Sequence, residues 1–127
     1  MLVVGIPQYL QNITNVKVDL TNTNNTTLYT APSDADFNAS ILNSLLVSND
    51  SGSDDTITVT ITDIATNVFS VFKNEEIGAL SSKELLLKEL ILKSGEILKV
   101  QAATGARLHA IASIQELSKQ RVSASFL

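Results

Sequence analysis

The chain has 127 residues, of which 44% are hydrophobic and 17% are charged, and its net charge is −4. This length suits one domain with a real core, and the low charge argues against disorder. Because cysteine is absent, disulfides, zinc–thiolate sites, iron–sulfur clusters and thiol catalysis are excluded. Residues 1–63 hold seven Asp and one Lys. We expect no nucleic-acid partner, because phosphate binding requires clustered cations.

The first 15 residues are apolar at the start and are interrupted by Gly5 and Pro7. They do not alternate cleanly between apolar and polar, so we predict an N-terminal arm over residues 1–15. They carry no basic leader and no small-residue cleavage pattern, and a membrane span requires about 20 apolar residues. We therefore expect neither a signal peptide nor a membrane partner.

The predicted strands alternate between apolar and polar residues or are rich in β-branched ones. In chain order they are 16–21, 26–31, 39–48, 56–64, 67–74, 96–103 and 107–117. Turn-forming residues separate them about every ten residues, which is typical of a β-sandwich rather than of βαβ units. We predict an all-β fold, an antiparallel, jelly-roll-like β-sandwich of about eight strands over residues 16–117, followed by a C-terminal tail at 118–127.

The segment at 75–93 (EEIGALSSKELLLKELILK) fits two structures. Its leucines with interleaved Glu and Lys, and Ser82 as an N-cap, suit one short amphipathic helix near 82–91. However, the segment lies between predicted strands and ends in KSGE, a tight-turn signal. We favour short strands and keep the helix as the alternative.

The acidic stretch at 49–55 (NDSGSDD) is the one candidate for a metal loop. An EF-hand loop needs Gly at position six and Glu at position twelve. Counted from Asp50, these positions hold Asp55 and Ile61. Since Asn, Asp, Ser and Gly all favour turns, we interpret the stretch as a hairpin turn, with a looser calcium site in a β-loop as the alternative.

No pattern in the sequence indicates catalysis. The single histidine, His109, lies in a predicted strand without His-rich spacing or a visible nucleophile, so we expect a structural or surface imidazole. Three carboxylate pairs occur, at Asp34/Asp36, Asp54/Asp55 and Glu75/Glu76. Adjacent strand residues point to opposite faces and turn residues point to solvent, so these pairs do not suit a glycosidase. We predict no enzyme activity, no cofactor and no metal.

Several predicted strands are apolar on both faces. In 41–47, Ile41, Leu45 and Val47 share one predicted face, and Leu42 and Leu46 share the other. Such strands need a cover on each side, and we expect another subunit to supply part of it. The alternative is that the apolar chain ends fold on their own domain. The predicted interface consists of the apolar chain ends and the second face of this strand: Leu2, Val3, Val4, Ile6, Leu42, Leu46, Phe126 and Leu127.

Five stretches follow one another in a particular order: TTLYTAP, LLVSND before a Ser/Gly/Asp turn, TITVTITD, LKSGEILKVQAA and LHAIASIQEL. This order, over about residues 26–117, resembles small β-sandwich virion proteins of tailed bacteriophages. The group includes capsid decoration (cement) proteins and domains associated with the neck, the baseplate or the fibres. The leucine-rich segment at 83–92 and the C-terminal tail are the parts least like this group.

The resemblance implies a non-enzymatic structural protein of the virion. We expect a decoration protein that forms a homotrimer, contacts the major capsid protein and bridges capsid subunits. The alternative is a tail-fibre, neck or baseplate protein with a receptor- or partner-binding β-sandwich. The absence of Trp and the presence of only two Tyr disfavour a sugar-binding platform, which usually relies on aromatic rings.

Overall fold

A computed structural model of the protein describes the backbone of residues 8–120 and the side chains of residues 11–119. Within this range the chain forms nine strands and no helix. They are β1 (Gln8–Leu20), β2 (Thr26–Thr30), β3 (Phe37–Asn49), β4 (Asp55–Thr62), β5 (Val68–Ile77), β6 (Ser81–Glu84), β7 (Leu90–Leu92), β8 (Ile97–Ala102) and β9 (Leu108–Gln120). The all-β prediction is confirmed, and among the described residues no helix is long and apolar enough to cross a membrane.

The strands form two antiparallel sheets. Sheet A has the order β1-β9-β3-β6, and β7 also pairs with β3; sheet B has the order β2-β8-β4-β5. The pairs β1–β9, β2–β8, β3–β6/β7 and β4–β5 are nested along the chain, like the two arms of one long folded hairpin. This nesting is jelly-roll topology, with β6 and β7 sharing the place of one edge strand. The predicted jelly-roll-like sandwich is confirmed.

The core lies between the two sheets and consists of alternate residues along the strands. In β8, Leu98, Val100 and Ala102 are buried, and their neighbours Ile97, Lys99 and Gln101 are not. The buried residues of β9 are Leu108, Ala110, Ala112 and Ile114. This is the alternation that the sequence predicts, because successive strand residues point to opposite faces of a sheet.

The first and last strands extend further than we predicted. Residues 8–15, predicted as part of an arm, belong to β1, which pairs with β9 in unbroken register from Gln8 opposite Gln120 to Leu20 opposite Leu108. No apolar–polar alternation is visible there, because polar residues occupy both faces of the strand. The strand is defined by its pairing with β9 and not by an apolar pattern. Residues 1–7 and 121–127 lie outside the described residues, and the division into arm, domain and tail stays a prediction.

The ambiguous segment contains strands, as we favoured, and the alternative helix near 82–91 is wrong. β6 and β7 both pair with β3, at its two ends, and residues 85–89 form the link between them. Leu85 and Leu92 enter the core, whereas Leu87 is 100% exposed. The sequence resembles a helix here because the link interrupts the apolar–polar alternation of the strands. The residues on both sides of the link nevertheless form strands, because each side pairs with β3.

A β-bulge near the middle of β3 reverses which alternate side chains of the strand point to the core. The partners of β3 on β9 shift between Leu42 and Ser44, so Leu42 is buried together with Leu45 and Val47. The prediction that Leu42 shares a face with Leu46 is therefore wrong. A strict period of two cannot reveal a bulge, because the extra residue is accommodated locally and shifts every later side chain by one position.

The acidic stretch at 49–55 forms a turn, but it does not join a hairpin. β3 lies in sheet A and β4 lies in sheet B, so residues 50–54 form a corner between the two sheets. The hairpin prediction is wrong because β3 and β4 do not pair with each other but with strands of different sheets. β3 pairs with β9, and β4 pairs with β5 and β8.

Asn49 organises this corner from the buried side. Its amide nitrogen donates hydrogen bonds to the carbonyl oxygens of Ser53, at 2.8 Å, and Ile77, at 3.1 Å. Its amide oxygen accepts hydrogen bonds from the backbone nitrogen and the hydroxyl of Ser51, at 3.0 and 2.7 Å. Both N–H donors and both lone pairs of the amide are thus used, as a buried polar side chain requires.

Candidate assembly surface

The carboxylates of the corner hold backbone amides in place. Asp54 Oδ1 accepts a hydrogen bond from the backbone nitrogen of Ala79 at 2.8 Å. Asp55 is buried, and its Oδ2 accepts one from Thr104 at 3.2 Å. Among the described side chains, no group of three or more His, Asp or Glu could hold a metal ion. The corner therefore acts structurally, linking the loop after β5 and the loop after β8.

His109 lies on the outer face of sheet A between two carboxylates. Its Nε2 is 3.2 Å from Asp19 Oδ1, and its Nδ1 is 4.0 Å from Asp50 Oδ2. The imidazole is partly exposed on a flat sheet face. This arrangement suits a surface ion pair when the imidazole is protonated.

The predicted interface residues have different locations. Leu2, Val3, Val4, Ile6, Phe126 and Leu127 lie outside the described residues. Leu42 lies in the core and is 0% exposed, so it offers no surface. Leu46 is 36% exposed on the outer face of sheet A, where it pairs with Ile111 of β9.

A row of isoleucines crosses the outer face of sheet A, and sequence reasoning missed it. Ile13 of β1 is opposite Gln115 of β9, Gln115 is opposite Ile41 of β3, and Ile41 is opposite Ile91 of β7. Ile13 is 78% exposed and Ile91 is 63% exposed. We call Ile13, Ile41 and Ile91 the isoleucine stripe. Large exposed apolar side chains that line up across strands mark interaction surfaces.

The residues around the isoleucine stripe extend it on one side and bound it on the other. Toward the start of β1, the next row contains Leu117 of β9 opposite Ala39 of β3, both partly buried, and the exposed Gln11 of β1 opposite Leu117. Toward the end of β1, the next row is polar, with Asn15 opposite Ser113 and Ser113 opposite Ser44. Among the described side chains, the apolar surface at this end of sheet A therefore consists of the stripe together with Leu117 and Ala39.

A second apolar region lies where sheet B meets the link between β6 and β7. Here a groove of about 360 Å³ separates β5 from the link. Its apolar lining consists of Val71, Phe72, Leu85, Leu86, Leu87 and Leu90. Further along β5, the hairpin to β4 exposes Ile64, Val68 and Phe69. Both sheets of the sandwich thus carry apolar surface that the described residues leave uncovered.

Glu84 holds β6 to the bulge in β3. Its Oε2 accepts hydrogen bonds from the backbone nitrogens of Leu45, at 2.8 Å, and Leu86, at 3.2 Å, and its Oε1 accepts one from the Ser44 hydroxyl. Burial raises the pKa of Glu84, but the hydrogen bonds from Ser44, Leu45, Leu86 and Leu85 outweigh it and hold the pKa below its usual value. No sequence pattern reveals this role, because the bulge that needs the carboxylate is itself invisible in the sequence.

No protein-family model matches the sequence, and no curated protein matches it. A chain in the acidic stable capsid structure of Helicobacter pylori bacteriophage KHP30 is similar, with a TM-score of 0.54 and 8% sequence identity. The match covers 92% of this chain and 100% of that chain. At such low identity the likeness shows the fold alone.

Chains in the structures of two strains of infectious bursal disease virus, Gt and Gx, also match. Their TM-scores are 0.43 and 0.42, and their identities are 11% and 12%. The matches cover 94% of this chain but only 37% and 38% of those chains. The chain therefore spans less than two fifths of the length of these two proteins.

Proposed function

We propose that the protein is a structural, non-enzymatic component of a virion, a capsid decoration (cement) protein that binds the capsid surface. The observation that carries this proposal is the likeness to a chain of a phage capsid structure over that chain's whole length. Jelly rolls with this topology are common in viral capsids. Since one fold serves many functions, the mechanism must come from the surface of this chain.

The apolar surfaces on both sheets supply that mechanism. An apolar surface stabilises a contact by roughly 25 cal/mol for each Å² that it removes from water. A specific interface buries about 1,200–2,000 Å², which one row of side chains cannot provide. A homotrimer contributes several copies of each patch, and its binding across neighbouring copies of the major capsid protein stabilises the shell by mass action.

The experiment is a comparison of virus particles with and without the gene that encodes this chain. We expect mass spectrometry of purified particles to detect the chain in many copies. We expect particles that lack it to release their genome at a lower temperature, and added purified protein to restore the release temperature. Absence of the chain from purified particles would contradict a virion role, and unchanged release would contradict cementing.

A polar groove on sheet B favours the second candidate function, a receptor-binding module of a tail fibre, neck or baseplate. The groove measures about 300 Å³ and contains Thr23, Thr58, Asn74 and Gln101 in its lining. These side chains offer hydroxyls and amides of the kind that bind sugars. A glycan array separates the two candidates, because a decoration protein gives no specific signal and a receptor-binding module does.

A further inference from the structure

The isoleucine stripe lies near the end of sheet A where the described chain begins and ends. Gln8 of β1 is opposite Gln120 of β9, and Ile13 follows Gln8 by five residues. The register of β1 on β9 shows no bulge from Gln8 to Leu20, and within residues 8–120 β1 pairs with β9 only. A long, regular edge strand beside an exposed apolar face is a place where another chain can add.

The sequence that precedes β1 has the chemistry to cover the stripe. Residues 1–7 (MLVVGIP) have no charged side chain, and five of the seven are large apolar residues. In an extended segment Leu2, Val4 and Ile6 lie on the same face. Seven extended residues reach about 23 Å, whereas the four strands from β1 to β7 span about 14 Å at the usual spacing.

Residues 1–7 are too short to span the stripe of their own subunit. Leu2 precedes Gln8 by six residues, so it lies at most about 20 Å from Gln8. Ile91 lies five residues along β1 and three strand spacings across the sheet from Gln8, which is about 22 Å in all. Even a straight segment therefore leaves Leu2 short of Ile91 in the same chain, and Val4 and Ile6 end nearer to Gln8.

We propose that residues 1–7 of one subunit dock on the isoleucine stripe of a second copy of the chain. The proposal rests on the oligomerisation that is part of the proposed function, and it names the contact that makes the oligomer. Because the docking segment and the stripe are different surfaces, copies can exchange segments reciprocally in a dimer or head to tail in a ring. The homotrimer of the proposed function requires the head-to-tail arrangement, which closes when the rotation between neighbours completes a circle.

Site-directed crosslinking tests the contact directly, because the chain contains no cysteine of its own. Leu2→Cys is placed in a chain enlarged by a tag, and Ile91→Cys is placed in an untagged chain. The two purified proteins are mixed, oxidised mildly and separated on a non-reducing gel. We expect a band of mixed size that a thiol reductant removes. Ile64→Cys is the matched control, because Ile64 is 79% exposed but lies on the hairpin of sheet B.

Four outcomes of this experiment overturn the proposal. The first is no mixed band with Ile91→Cys, and the second is an equal band with Ile64→Cys. The third is an efficient link within one chain that carries both Leu2→Cys and Ile91→Cys, which shows cover by its own subunit. The fourth is a mixed band from Phe126→Cys but not from Leu2→Cys, which makes the C-terminal segment the occupant.

The molar mass in solution provides a second, independent measurement. We expect light scattering to show an oligomer for the wild type and a monomer for Ile91→Asp, with Ile64→Asp remaining an oligomer. Ile91 is exposed, so circular dichroism of Ile91→Asp should match that of the wild type. A monomeric wild type, or an oligomeric Ile91→Asp, overturns the proposal. Absence of the chain from virus particles would overturn the proposed function but leave both of these measurements valid.

Discussion

The hydroxyl of Tyr29 in β2 donates a hydrogen bond to the carboxylate of Glu116 in β9 and so joins the two sheets. The same hydroxyl lies 2.7 Å from Ser40 Oγ in β3. The other oxygen of Glu116 accepts a hydrogen bond from Asn12 Nδ2 in β1 at 2.9 Å. Four strands therefore meet in one polar network, on the inner side of the strands that carry the isoleucine stripe.

Loss of the Tyr29 hydroxyl should destabilise the fold. Tyr29 is 8% exposed and Ser40 is 0% exposed, so Tyr29→Phe leaves buried oxygens short of a partner. We expect a cost of about 1–3 kcal/mol in the free energy of unfolding, measured by urea denaturation. Thr60→Val is the matched control, because Thr60 Oγ1 is buried without a hydrogen-bond partner among the described residues. An equal loss in both variants would contradict the role of the network.

The stability of the protein should fall at alkaline pH because of the same tyrosine. Burial raises the pKa of Tyr29, and the hydrogen bond to Glu116 raises it further, against a smaller lowering effect of Ser40. In the unfolded chain the pKa is about 10. The contribution of the protonated Tyr29 hydroxyl to the free energy of unfolding is therefore complete below that pH. It decreases as the pH rises above it. We expect urea midpoints from pH 8 to 11 to fall more steeply for the wild type than for Tyr29→Phe, and parallel curves would contradict this.

Acid should remove the contribution of Glu84. Since its pKa is held below the usual value, its stabilisation is present above the unfolded pKa of about 4.3 and decreases as the pH falls through the lowered value. We expect Glu84→Gln to be less stable than the wild type at pH 7, with the difference shrinking toward pH 3. Glu89→Gln, at an exposed position on the link, is the control. A stability difference between Glu84→Gln and the wild type that does not change with pH would contradict a stabilising role of the ionised carboxylate.

The bulge in β3 predicts opposite sensitivities at two leucines. Leu42→Ala removes a fully buried side chain and should cost about 2–5 kcal/mol. Leu46→Ala changes a partly exposed side chain and should cost much less. Urea denaturation of the two variants measures both values. Equal costs, or a larger cost for Leu46, would indicate that β3 keeps a strict alternation.

The corner between the sheets should depend on the amide of Asn49. Asn49→Asp keeps the shape but places a carboxylate oxygen against the carbonyl oxygens of Ser53 and Ile77. We expect a loss of about 1–3 kcal/mol or more by thermal or urea denaturation, while the exposed Asn25→Asp stays near the wild type. Calcium should not rescue Asn49→Asp, and a rescue would support the looser calcium site in this loop.

Some features of this architecture can be predicted from the sequence, because they depend only on residues that are close together in the chain. The alternation in β8 and β9 indicates which side chains enter the core, and the turn residues at 49–55 indicate where the chain bends. The first half of β1 could not be predicted in this way. Its residues are polar on both faces, and they form a strand because β9, about 100 residues later, pairs with them.

An all-β sandwich, the inward residues of β8 and β9, and the absence of cysteine chemistry can all be inferred from the amino-acid sequence. These follow from residue type and from a period of two, which are local properties. Three other features emerge only when the strands are packed into sheets: residues 49–55 turn a corner between sheets, Leu42 is buried, and three isoleucines line up on one face. Each depends on which distant strand lies alongside and in which register, and a one-residue shift in register reverses the outcome.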